Sequence, residues 1–245
     1  MMTPTQEAWR LLRYDWKRYW PELVFTWLFS LLLGALAAMM LNGLADPGDS
    51  SSSISLNGLM LDFYFIFFIP MFTVIWGREY WYPLKMREMF DRRLSILRIL
   101  PVSTAGFVRS RMFQVLGLAL LCSSAFFSTI YIIGWMFRQW LTPGEFLVFA
   151  AIWFGYGLAV GGIYPLVEWG TTSRWTYWWI SALILLACPL LVWSHWLWTE
   201  ISWIERTVQW ASQAPWAGPL ALLIGYGGMA GWSLLIERRL IQRDL

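Results

Sequence analysis

Few residues in this chain are equipped for chemistry. His195 is the single histidine. A zinc site takes three or four ligands from His, Cys and carboxylates, and no H-E-x-x-H pairing exists to supply them. Cys122 and Cys188 both fall inside apolar runs, where they read as small core residues rather than a disulfide pair. Glu22, Asp62 and Glu168 are scattered among different segments and form no acid–base pair. An acid within a membrane span is a candidate transport group, but Asp62 stands near the outer end of its segment, where it is expected to be solvated. The chain has no G-x-x-x-x-G-K-[S/T], G-x-S-x-G or C-x-x-C sequence, so an ATP-binding loop, a hydrolase elbow and a redox pair are all missing. The expectation is a non-enzyme with no catalytic, cofactor-binding or metal residues of its own.

The chemistry that remains is recognition. Between the second and third long apolar runs, residues 77–111 carry Arg78, Lys85, Arg87, Arg92, Arg93, Arg98, Arg109 and Arg111 against three acids, Glu79, Glu88 and Asp91. Within this stretch Met86, Phe90, Leu94 and Leu97 recur at helical spacing, so a short amphipathic helix is expected before Pro101. Ser103 or Thr104 is placed to cap the helix that follows. Apolar anchors set among charges suit a docking surface, with the charges fixing register. The same basic residues also suit a topology signal or contact with anionic lipid.

The elements around this stretch are hydrophobic. Hydrophobic residues make up 58% of the chain and charged residues 13%, against about a quarter charged in an ordinary soluble domain. The apolar residues gather into runs of about 20, the length that crosses a bilayer core of roughly 30 Å. The expected fold is therefore an all-α integral membrane protein, one transmembrane domain over 1–245. Spans are expected at about 23–44, 59–76, 112–137, 145–167, 175–197 and 216–236. The run from Leu23 is too long for the apolar region of a cleavable signal peptide.

Residues 5–20 have a helical period, with Trp9, Leu12, Trp16, Tyr19 and Trp20 on one stripe and Arg10, Arg13 and Lys17 along its flank. That pattern predicts an amphipathic helix at the headgroup level, capped by Thr5 and ended by Pro21. Pro70 is expected to kink span two. Gly157-x-x-x-Gly161 and Gly227-x-x-x-Gly231 are candidate helix-packing sites, because small residues let membrane helices approach closely. Residues 198–214, with Trp198, Trp203 and Trp210, read as an interfacial or re-entrant outer piece.

Charge sets the orientation. Of the 18 Lys and Arg residues, all but Arg138 and Arg206 fall on one side of these spans. Both termini are thus expected in the cytoplasm, with the chain in the inner (plasma) membrane. Because the basic residues border spans, the net charge of +3 does not point to nucleic acid.

This layout resembles the type-2 permease family of ATP-binding cassette transporters, in its small six-span bacterial exporter form. The resemblance rests on the charged helix over Glu88 to Leu100, the turn Leu100-Pro101-Val102-Ser103, and Arg109 and Arg111 leading into span three, where many members carry a Lys. It implies separate cytoplasmic ATPase subunits that bind ATP and Mg, a second permease copy or a sister permease, and a coupling helix seated in a groove of the ATPase. Carried onto this chain, the ATPase-docking residues would be Arg87, Glu88, Phe90, Asp91, Leu94 and Leu97. A pathway lined by aromatic and aliphatic side chains suits an amphipathic or hydrophobic cargo, peptide or lipid-like. The alternative is a stand-alone membrane immunity or peptide-sensing protein that works without an ATPase.

Overall fold

The computed structural model of the protein describes residues 3–43, 51–75, 103–170 and 202–243. All the regular structure among them is helical: α1 (Pro4–Arg18), α2 (Trp20–Gly43), α3 (Ser51–Met71), α4 (Thr104–Ile133), α5 (Trp135–Trp140), α6 (Pro143–Gly161), α7 (Ile163–Gly170), α8 (Trp203–Gln213) and α9 (Ala217–Arg243). Four segments are long and apolar enough to cross a membrane, namely Trp20–Gly43, Thr104–Ile133, Pro143–Leu166 and Ala217–Gln242, and Gly58–Met71 is a shorter apolar helix. The protein is thus an all-α, multi-pass membrane protein. Leu28, Leu32 and Leu36 form an exposed row along one face of α2. Such a row would be costly in water but is what a lipid-facing helix presents.

Several boundaries differ from those the sequence suggested. The third span begins at Thr104 rather than near 112 and ends at Ile133, where Gly134 breaks the helix ahead of α5. The last helix continues through residues read as a tail, because Ile236 and Leu240 are buried against Val108 and Met112 of α4. Thr3, not Thr5, caps α1: its backbone N–H donates to Gln6 Oε1 at 3.2 Å. Pro21 does not stop α1 but lies in the first turn of α2, where its missing N–H costs nothing. The expected span over 175–197 lies outside the described residues.

The helices pair in register. Leu23 of α2 clusters with Leu118 of α4 at one end, and the Asn42 amide donates to the Ile133 carbonyl at the other, so α2 and α4 run parallel. By the same test α3 runs parallel to α6, from Phe65 beside Phe149 to Thr73 beside Gly161. The helices α6 and α9 are parallel too, from Val148 beside Gly218 to Gly162 beside Trp232. The starts of α2 and α4 therefore share one end of the bundle with the finishes of α3, α6 and α9. Arg10, Arg13, Lys17, Arg18, Arg109, Arg111, Arg238 and Arg239 sit on segments at that end, whereas Arg138 and Arg206 sit at the other.

Between these pairs lies an aromatic core. Phe65 meets Phe126 edge-on at 5.5 Å and Trp153 at 5.1 Å, and Phe127 meets Phe149 at 6.2 Å. Edge-to-face pairs of this kind contribute about 0.5–1.5 kcal/mol each beyond the area they bury. The end of the bundle away from the starts of α2 and α4 is closed by α8. Asp62, only 1% exposed, accepts from the backbone N–H groups of Trp203 at 2.7 Å and Ile204 at 3.0 Å. Ser202 and Glu205 complete a reciprocal cap at the same helix start. The solvated acid expected from the sequence is instead buried, because the unpaired N–H groups and the positive end of α8 replace water around it.

Glycines decide how closely α6 and α9 approach. A Cβ on Gly155 would strike the Ala221 backbone, and one on Gly225 would lie 2.5 Å from the Gly155 carbonyl oxygen. Gly157 and Gly161 face Ile69 and Thr73 at the end of α3, while Gly227 and Gly231 have no described residue within 4 Å of an added Cβ. Gly225→Leu is therefore expected to destabilise the chain by about 2–4 kcal/mol through overpacking against backbone, and Gly227→Leu to leave chain stability unchanged. Thermal unfolding of the two variants in detergent measures this. Asp62→Ala, which strips two charge-assisted hydrogen bonds, is expected to cost about 2–4 kcal/mol in the same assay.

Candidate functional site at the anchors of the basic connection

The docking residues Arg87, Glu88, Phe90, Asp91, Leu94 and Leu97 lie outside the described residues, as do Cys188 and His195. The structure does describe the two ends from which this connection hangs: α3 and its exit through Ile75, and the start of α4 at Ser103.

At the first end, Pro70 does not kink the middle of a span. It sits one residue before the end of α3, and the chain leaves through tight turns in which Phe72, Thr73 and Val74 each donate to the carbonyl three residues earlier, at 3.1–3.2 Å. Proline has no N–H, so the Ile66 carbonyl four residues before it loses its helical partner. The Tyr156 hydroxyl of α6 donates to that carbonyl at 3.0 Å. The reverse arrangement lies one to two turns further on. Pro165 in α7 leaves the Gly161 carbonyl without its helical N–H, and the Thr73 hydroxyl shares its one proton between the Pro70 carbonyl at 2.7 Å and the Gly161 carbonyl at 3.3 Å. A hydroxyl from the neighbouring segment thus lies against each orphaned carbonyl. Gly157 and Gly161 make this geometry possible, because side chains there would collide with Ile69 and Thr73. Ile75, the last described residue before the connection, is buried with Leu23 and Leu118.

At the second end, Ser103 caps α4. Its Oγ accepts from Gly106 N–H at 3.1 Å. Its own backbone N–H and hydroxyl both donate to Glu7 Oε2 of α1, at 3.1 and 2.6 Å. Arg109 donates to Thr5 at 3.2 Å. Further along, the Trp16 indole lies over Gly117, where a Cβ would come within 2.9 Å of the ring. The amphipathic N-terminal helix thus runs beside the first half of α4 and buries Ala8 and Leu12 there. α4 has 30 residues, about 45 Å at 1.5 Å per residue, which is about 15 Å more than the bilayer core. The surplus is the part α1 covers.

The two hydrogen bonds from Ser103 hold the Glu7 carboxyl below its ordinary value of 4.5, the side-chain bond being the larger cause. The described residues contain no group of three or more His, Cys, Asp and Glu able to hold a metal ion. What the arrangement offers is anchorage: the described residues on either side of the connection are held by the α3–α6 contacts and the buried Ile75 at one end and by the α1–α4 clamp at Ser103 at the other. The sequence offered Ser103 or Thr104 as the cap, but nothing in it paired Ser103 with Glu7, 96 positions away. Tyr156 and Thr73 were legible only as partners of Pro70 and Pro165, given that the helices meet.

Glu7→Gln is expected to loosen α1, seen as faster amide hydrogen exchange over residues 4–18 than in the wild type at the same pH. Because the Glu7 value is depressed, the clamp contributes fully above the ordinary carboxylate value and is lost as pH falls through the lowered one. The difference between wild type and variant is expected to be clear at pH 7 and to vanish in strong acid. A difference that persists unchanged across that range contradicts the charged clamp.

The chain matches no protein-family model, no curated protein and no solved structure.

Proposed function

We propose that this chain is the membrane-spanning permease subunit of an ATP-binding cassette exporter of the type-2 kind, driven by ATPase subunits that bind ATP and Mg on separate chains. The observation that carries this reading is the double anchoring of the basic connection. One end leaves the α3–α6 breaks through the buried Ile75, and the other begins at Ser103 under the Glu7 clamp. A coupling segment must be tied to the spans at both ends for a push from a soluble partner to reach them. In this reading the helix over 87–97 docks on the ATPase and α1 flanks it.

The gathering of cations at one end of the bundle supports placing that end in the cytoplasm. Six spans follow if 175–197 forms the remaining one. The open face of α9, with Gly227 and Gly231 one turn apart and no described residue within 4 Å of an added Cβ, is of the kind that packs against a second permease copy or a sister chain. The aromatic and aliphatic character of the bundle favours an amphipathic or hydrophobic cargo, peptide or lipid-like.

Affinity purification from mild detergent tests the proposal. A P-loop ATPase is expected to accompany the wild type and to be lost from Phe90→Asp with Leu94→Asp while that variant stays folded. Glu7→Gln is expected to retain the ATPase but to lower its cargo-stimulated activity several-fold. Failure to recover any ATPase under several conditions overturns the permease reading in favour of a stand-alone membrane protein. ATPase stimulation by a hydrophilic sugar alone overturns the proposed cargo class.

A further inference from the structure

Between α1, the start of α2 and the flank of α4 lies an open groove of about 1020 Å³. That is the upper end of the roughly 300–1,000 Å³ usual for small-molecule sites. One wall is apolar, made by Phe113, Leu116 and Leu120 of α4. Leu120 is among the exposed apolar residues of this helix, so the wall faces whatever surrounds the bundle. The other wall carries Trp9, Trp16 and Trp20, with Trp9 and Trp20 each more than 60% exposed. Indoles of this kind prefer the boundary between headgroups and acyl chains.

Two cations complete the groove. Arg13 and Lys17 line it and stand four residues apart, hence on one face of α1. Neither makes a hydrogen bond or ion pair with another described residue, and both are exposed. The same groove thus offers two positive charges with no partner among the described residues, beside an apolar wall of Phe113, Leu116 and Leu120 on a membrane-spanning helix. A free anion would use the charges and leave the wall bare. A neutral lipid would use the wall and leave the charges unmatched. A molecule with an anionic head and an acyl tail uses both.

We propose that this groove is a binding site for an anionic phospholipid, with its phosphate on Arg13 and Lys17 and an acyl chain along Phe113, Leu116 and Leu120. Basic recesses between membrane helices hold lipid headgroups by this combination of charge and apolar contact. The site is independent of the permease reading and needs only that the chain resides in a membrane. Its occupancy bears on α1, because a lipid bridging α1 and α4 ties them together about two to three turns along α1 from the Glu7–Ser103 clamp.

The test uses the full chain purified in detergent, stripped of native lipid and mixed with phosphatidylglycerol or phosphatidylcholine of the same acyl composition. Bound lipid is read by native mass spectrometry. The wild type is expected to retain phosphatidylglycerol on the order of ten-fold better, from two basic contacts. Arg13→Gln with Lys17→Gln, both exposed, is expected to bring the ratio near one without loss of folded protein. Gly117→Leu, which forces the Trp16 ring into the groove, is expected to reduce both lipids. Millimolar inorganic phosphate is expected not to displace the phosphatidylglycerol. Equal retention of the two lipids by the wild type, an unchanged ratio in the double variant, or displacement by phosphate overturns the proposal. So does a lipid-free dimer that Leu120→Arg dissociates, since the groove would then belong to a second copy.

Discussion

A proline inside a membrane helix leaves a carbonyl with no water to turn to. That constraint shapes the centre of this protein. Pro70 orphans the Ile66 carbonyl and Pro165 orphans the Gly161 carbonyl, and the two helices relieve each other through Tyr156 and Thr73. For the hydroxyls to reach, the backbones must approach closely, which is why Gly157 and Gly161 occupy the contact and Ile69 and Thr73 fill the space in front of them. The same constraint acts where α6 gives way to α7, where the Trp232 indole donates to the Ala159 carbonyl at 2.6 Å. Breaks in helices are thus not loose joints here: side-chain donors from neighbouring elements meet the carbonyls that the breaks expose.

The two ends of the bundle solve a related problem with carboxylates. A helix start exposes several unpaired N–H groups. At one end Asp62 satisfies two of them for α8, and Trp153 reaches Thr207 of the same helix at 3.2 Å, so α8 is fastened across α3 and α6. At the other end Glu7 takes the backbone N–H and hydroxyl of Ser103 while the Ser103 oxygen caps α4. One acid is buried and the other half-buried, yet both join elements distant in sequence. This explains how a chain with so few charges can fix its helix ends: its acids stand where backbone donors converge.

These fastenings give the functional reading its physical content. The basic connection follows the α3–α6 contacts and the buried Ile75 and precedes the α1–α4 clamp at Ser103, so its two ends are tied to different helix pairs. Phospholipid in the groove beside Arg13 and Lys17 would add the membrane itself to that junction. A soluble partner and the surrounding lipid would then act on one lever from two sides.

The sequence by itself determined the membrane class, the helical content, the amphipathic N-terminal helix and the sorting of charge between the ends. Those properties follow from local composition and period, which act within a few turns: 20-residue apolar runs, Trp and Arg at fixed intervals around 5–20, Arg and Lys beside the spans. It also narrowed the cap of α4 to Ser103 or Thr104, since capping is read within four residues, and the structure selects Ser103. Tertiary structure alone decided the partners. Asp62 was legible as an acid near a span end, but its burial depends on α8 starting 141 positions later. Glycine spacing offered four equivalent candidates, yet Gly157 and Gly161 meet α3, Gly155 and Gly225 set the α6–α9 contact, and Gly227 and Gly231 meet none of the described residues. Which side of a helix finds a neighbour is fixed by packing over the whole bundle. No local pattern carries that information, because lipid and protein present equally apolar surroundings to a membrane helix.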